Sequence, residues 1–89
     1  MLRESITIIN KFGLHTRAAA KLVAIASKFE SKIEIQHNEQ LANCKSIMSL
    51  IVMGITRGMT LELIITGNDE MEARDAVVKL INDKFDEAE

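Results

Sequence analysis

Near the start of the chain Ile6 and Ile8 alternate with Ser5 and Thr7, the period of two that marks a strand with one face buried and one in water. The alternation predicts a first strand over residues 3–10. Phe12-Gly13-Leu14 breaks it, and from Thr16 the apolar residues move to helical spacing, with Ala19, Leu22, Ala26 and Phe29 along one stripe. A helix over 16–29 is predicted, and its small residues Ala20 and Ala24 lie off that stripe, leaving a low-relief surface beside His15. Ile33 and Ile35 alternate with Lys32, Glu34 and Gln36 in a second strand, His37-Asn38-Glu39-Gln40 is a turn, and Leu41-Ala42 is a short returning strand. Ser46 precedes an apolar run, 47–53, that Gly54 stops, which suits a helix of about two turns. Leu61, Leu63 and Ile65 alternate with Thr60, Glu62 and Thr66 in a last strand set off by Gly58 and Gly67. Asp69-Glu70-Met71-Glu72 has the spacing of a capping box and opens a helix in which Ala73, Val77, Ile81 and Phe85 recur at every fourth position.

The predicted order is βαββαβα. Strands with one polar face need cover on the other face only, and three amphipathic helices supply it, so the expected fold is a two-layer α+β domain. No proline, linker or repeat divides the chain, and residues 1–89 are expected to form a single domain. A chain of 89 residues buries roughly 60–65% of the surface it would expose unfolded. The acidic end, 83–89, reads as a fraying helix end and solvated terminus.

Composition narrows the function classes. With 47% hydrophobic and 27% charged residues the chain has enough apolar content to fold. A net charge of −2, and Phe12, Phe29 and Phe85 as the only aromatic rings, speak against nucleic acid. The lone Cys44 allows no intrachain disulfide and reads as a small buried hydrophobe in a cytoplasmic protein. No apolar run is long enough for a signal peptide or for membrane insertion.

Gly13-Leu14-His15-Thr16-Arg17 stands at the junction of a strand and a helix, where orphan N–H groups and the positive end of the macrodipole face outward. Such a junction suits an anion. A neutral imidazole is favoured there over its cation by about 0.3–1 kcal/mol, so His15 has the makings of a nucleophile. Spacing alone leaves a cap, a surface residue or a packed side chain as other readings of the same histidine. Arg17 is a first-turn surface charge whose fork can also meet anion oxygens. His37 is separated from His15 by a whole helix and strand, neither has carboxylate or thiol partners at metal-ligand spacing, and no Gly-rich phosphate loop is present. Neither a metal nor a cofactor is expected.

At Gly13-Leu14-His15-Thr16-Arg17, followed by Ala18-Ala19-Ala20, the chain resembles the HPr family, the histidine-containing phosphocarriers of the bacterial phosphoenolpyruvate-dependent phosphotransferase system. The similarity continues through Lys45-Ser46-Ile47-Met48 and the stretch 67–73. It implies an open-faced sandwich, a four-stranded antiparallel sheet with three helices on one face. It further implies that His15 Nδ1 receives phosphate from enzyme I and gives it to a sugar-specific or regulatory acceptor protein, with Arg17 steadying the phosphoryl group. Thr16 and Ala18 would cradle the phosphate. Ala18 stands where the family usually has proline and so restores a backbone N–H, while the Thr16 hydroxyl reads chiefly as a helix cap.

Ser46 reads as an N-cap from its position, and the resemblance adds regulatory phosphorylation by HPr kinase/phosphorylase. A continuous apolar run wraps round its helix, so part of 47–53 must be exposed. The resemblance makes this helix and the first one a docking surface for enzyme I, with Ala20, Ile47, Met48 and Ile51 as contacts. The protein is expected to be monomeric. Two other readings are a purely regulatory binding module, which would survive loss of His15, and a phosphocarrier of the nitrogen-related branch.

Overall fold

The computed structural model describes residues 1–88 of the chain. Strands β1 (Leu2–Thr7), β2 (Lys32–His37), β3 (Gln40–Asn43) and β4 (Thr60–Thr66) form one antiparallel sheet in the order β1-β4-β2-β3. The register brings core-facing residues opposite one another: Ile6 pairs with Leu61, Ile35 with Leu63 and Ile33 with Ile65. Period-two alternation sets that register, because a slip of one residue would turn every such side chain toward water. Helices α1 (Thr16–Ala26), α2 (Ile47–Ile51) and α3 (Glu70–Asn82) cover one face. Ala19, Leu22 and Ala26 of α1, Leu50 of α2, and Ala73, Val77 and Ile81 of α3 meet the sheet in a single core. The architecture is the open-faced α+β sandwich that the hydrophobic pattern calls for. The uncovered face carries an Arg3–Glu62 ion pair and a Thr7–Thr60 hydroxyl contact of 3.1 Å.

Several element ends depart from expectation. β1 stops at Thr7, yet Ile8 still exchanges backbone bonds with Gly58 and Met59, so the alternation carries it into the core as anticipated. α1 ends at Ala26, and the bonds Lys28 N–H to Ile25 O and Phe29 N–H to Ala26 O tighten its exit into a turn. Phe29 thus reaches the core from a loop. The helical part of 47–53 is shorter than about two turns, since Met53 and Gly54 close with the same tighter bonding.

The capping box does not form. Asp69 is the N-cap of α3 but makes no side-chain cap bond. Its carboxylate instead accepts from the Ser31 hydroxyl, the Glu30 N–H at 2.9 Å and the Ser31 N–H at 3.0 Å, tying the entry of β2 to α3. The Ser31 hydroxyl, followed by the Glu30 N–H, holds this carboxyl below its usual range. Glu70, not Glu72, reaches back, accepting from the Gly67 N–H at 3.1 Å.

The end of the chain is the largest departure, because residues 84–87 are docked where a fraying terminus was expected. After α3, Lys84, Phe85 and Asp86 form a tight turn with φ of 57°, 55° and 61°. The left-handed region costs about 1–2 kcal/mol per residue that is not glycine, so such a turn persists only where tertiary contacts outweigh it. Those contacts are visible: Phe85 is fully buried, and Lys21 Nζ donates to its carbonyl at 2.7 Å. The four-residue spacing correctly marks Phe85 as core, although its ring arrives from this turn and not from the helix. Glu89 lies outside the described residues.

Candidate functional site

Placement of the site begins at Gly13. Its φ is 64°, and a Cβ there would lie 2.5 Å from Ile55 O and 2.8 Å from the Thr56 Cα. Only glycine permits this approach. Leu14 follows with its side chain in the core and its N–H bonded to Ile55 O at 3.1 Å. His15 then emerges with an extended backbone as the N-cap of α1, and no side chain caps the helix. The first helical bond joins Ala19 N–H to His15 O at 2.8 Å, which leaves the N–H groups of Thr16, Arg17 and Ala18 without intrahelical acceptors. No acidic residue lies in that first turn. An anion at this helix start would meet backbone N–H donors. Ala18 is fully buried, so its contribution is its N–H alone. Thr16 is exposed and one residue inside the helix; the cap expected of it is His15 instead.

The imidazole is half-buried and held from two sides. His15 Nε2 lies 2.7 Å from Glu87 Oε2, and the Phe12 ring meets it edge-on with centroids 5.8 Å apart. The other oxygen of Glu87 accepts from Asn10 Nδ2 at 3.1 Å, and the same amide donates to Gly13 O at 2.8 Å. Burial tends to raise the Glu87 carboxyl, but hydrogen bonds from His15 and Asn10, with the charges of His15 and Lys21, outweigh it and hold the group below its ordinary value. An ionised carboxylate only accepts, so Nε2 carries the proton and the lone pair of the neutral ring is at Nδ1. The helix end is thus not the sole charge facing His15, since the Glu87 carboxylate lies against its Nε2.

Arg17 is exposed and lines a cavity of about 370 Å³ with Phe12, Lys21, Asp86, Glu87 and Ala88. The Glu87 group that grips His15 also feels the charge of Lys21. The sequence singled out His15 and Arg17 as candidates but not Asn10, Lys21 or Glu87, which the structure places beside them. Asn10 was within reach, since Ile6, Ile8 and Asn10 share one strand period and the amide is fully buried, its Oδ1 lacking a hydrogen-bond partner. His37 does not join the site and lines a different cavity, with Ser5, Thr60 and Glu62.

Ser46 is the N-cap of α2, its Oγ accepting from Ser49 N–H at 3.2 Å. In the apolar run Leu50 is buried, Ile51 packs partly against the core, and Ile47 and Met48 are 37% and 67% exposed. Val52, which spacing did not single out, is 69% exposed. Ala20 is exposed on α1, the helix against which α2 packs. Cys44 is buried and its thiol is pushed up to about 12 by burial and then by Glu34, so it takes no part in thiolate chemistry. Among the described residues no helix is long and apolar enough to cross a membrane.

A family model described as the PTS HPr component phosphorylation site matches residues 2–83. The chain belongs to the HPr family, the phosphocarrier proteins of the phosphotransferase system. It is 45% identical to the phosphocarrier protein HPr of Neisseria meningitidis serogroup B over the full length of both chains. It is 41% identical to the phosphocarrier protein NPr of Shewanella violacea, covering 98% of this chain and 96% of that one. Among solved structures, HPr-C-His from Thermoanaerobacter tengcongensis matches with a TM-score of 0.95 at 43% identity, with both chains covered in full.

Proposed function

We propose that His15 is the phosphoryl acceptor, taking the group from enzyme I on Nδ1 and yielding it to a sugar-specific or regulatory acceptor of the phosphotransferase system. The observation that carries this reading is the 2.7 Å contact between Glu87 and Nε2, which leaves the ring's lone pair at Nδ1. That lone pair attacks phosphorus while the bond from phosphorus to the donor breaks. Nε2–H stays in place, so the substituted ring acquires positive character, which the Glu87 carboxylate offsets. The first-turn N–H groups of Thr16, Arg17 and Ala18 and the Arg17 guanidinium receive the phosphoryl oxygens. A partner supplies the phosphoryl group and a partner removes it, so the chain acts as a carrier.

The exposed Ile47 and Met48, with Ile51 and Ala20, serve in this account as the docking contacts for enzyme I. Ser46 is the site at which HPr kinase/phosphorylase acts. Phosphate there adds about −1.5 to −2 charges at the start of α2, where an anion is tolerated, and repels an acidic partner without unfolding the helix. The similarity to an NPr keeps a nitrogen-branch phosphocarrier as the second reading, and the Lys45-Ser46-Ile47-Met48 motif favours the HPr branch.

Incubation with enzyme I, Mg²⁺ and phosphoenolpyruvate tests the proposal. An acid-labile phosphohistidine should form on the native chain and be absent from His15→Ala. Labelling that survives this substitution, or no labelling of the native chain, refutes it.

A further inference from the structure

Asn10 lies between β1 and α1, and its side chain is fully buried. One amide nitrogen, Nδ2, donates to Gly13 O at 2.8 Å and to Glu87 Oε1 at 3.1 Å, across 77 positions of chain. A single group therefore ties the loop that carries His15 to the tail that carries its carboxylate partner. Gly13 O and an ionised Glu87 can only accept, so the NH₂ group has to face them and the orientation of the amide is settled. That orientation leaves Oδ1 buried with no partner among the described residues. An orphaned buried acceptor costs stability, and leucine repeats the branched outline of asparagine with no polar atom to leave unpaired. Packing alone thus gives no reason for an amide at this position, whereas its two donated bonds do.

We propose that Asn10 is a positioning residue for phosphoryl transfer, acting through Glu87 to hold the His15 ring with Nε2 protonated and Nδ1 open. Being fully buried, it touches no partner and acts only through the groups it holds. With Oε1 taken by Asn10, the second oxygen of Glu87 stands 2.7 Å from His15 Nε2. Without the amide the carboxylate regains its rotamers and no longer presents Oε2 to the ring. Burial tends to raise the Glu87 carboxyl, and the bonds from His15 and then Asn10 bring it below its ordinary value, so the amide also helps to keep that acceptor ionised. The hold on the ring is a property of the free protein; its consequence for transfer rests on the phosphocarrier reading of His15.

The test compares the native full chain with Asn10→Leu, Glu87→Ala and the double variant. The first readout is the ¹⁵N signals of the His15 ring in the free protein, at a pH where the ring is neutral. Asn10→Leu should move them from the native positions toward those of Glu87→Ala, and the double variant should leave them where Glu87→Ala alone puts them. An amide with a structural role only would displace the ring equally with or without Glu87. The second readout is single-turnover transfer from phosphorylated enzyme I. Asn10→Leu should lower the maximal rate by roughly two- to tenfold with the half-saturating concentration unchanged, and the loss should vanish in the Glu87→Ala background. Ring signals that stay native in Asn10→Leu, a displacement of equal size in both backgrounds, or a loss confined to the half-saturating concentration overturns the proposal. Should Asn10→Leu fail to fold, Asn10→Ser, whose hydroxyl is too short to reach both acceptors, is read in the same way. Failure of enzyme I to label the native chain would refute the phosphocarrier reading, while the ring comparison on the free protein would still decide whether Asn10 acts through Glu87.

Discussion

Glu87→Gln keeps the size of the side chain and removes the charge that faces His15. Two hydrogen bonds reach the native carboxylate, from His15 Nε2 at 2.7 Å and from Asn10 Nδ2 at 3.1 Å. Such bonds are worth about 0.5–1.5 kcal/mol each in net terms, and the amide oxygen preserves one of them, so the substitution should cost about 0.5–1.5 kcal/mol at neutral pH. For a chain of this size each kcal/mol lowers Tm by about 4–8 °C. The pH dependence sharpens the test. The Glu87 carboxyl in the folded protein is held below its ordinary value of 4.5, so below that pH the unfolded chain binds more protons than the folded one. Its stabilisation is therefore fully present above 4.5 and fades as pH falls through the lower folded value. Thermal unfolding of both proteins by circular dichroism across a pH series should show a gap that narrows below 4.5. A gap that stays constant or widens in acid, or a variant as stable as the native chain at neutral pH, refutes the carboxylate contact.

Gly13→Ala should destabilise by about 2 kcal/mol or more, since a left-handed alanine alone costs about 1–2 kcal/mol and its Cβ would meet Ile55 O at 2.5 Å. Urea unfolding measures this, and a loss below about 0.5 kcal/mol contradicts it. Phe85→Ala should cost about 3–5 kcal/mol and release Glu87, so that His15 ring signals move toward those of Glu87→Gln. A moderate loss of stability with unmoved ring signals would show that Phe85 does not hold the turn that places Glu87. Ser46→Ala should cost about 1 kcal/mol through loss of the bond to Ser49 N–H, whereas Ser46→Asp, also a capping residue, should unfold with the native Tm within about 4 °C.

Strand periodicity made most of the sheet legible. Alternation at 5–8, 32–36 and 60–66 assigned each side chain to a face, and those faces are the ones observed. The exposure of Ile47 and Met48 followed from geometry, because a continuous apolar run cannot all face one sheet. The capping box failed for a tertiary reason: Asp69 had unpaired N–H groups at Glu30 and Ser31 to satisfy, and no local spacing encodes them. The tail failed for a similar reason. The four-residue period carried Phe85 onto the helix stripe but gave no sign of a turn, and three consecutive left-handed residues without glycine run against every local preference. The Glu87–His15 contact depends on that turn, so half of the site was readable at the helix start and half was not. Asn10 marks the boundary between the two, since the strand period pointed to its burial while its partner Glu87 lay beyond any local signal.

The central claim is that Glu87 occupies Nε2 and leaves Nδ1 to carry the phosphoryl group. The most direct measurement is the position of that group on His15, read from long-range ¹H–¹⁵N correlations of the imidazole after labelling with enzyme I and phosphoenolpyruvate. The account predicts attachment at Nδ1, with Nε2 protonated both before and after transfer. A phosphoryl group on Nε2, or a free protein whose neutral ring carries its proton on Nδ1, would contradict it.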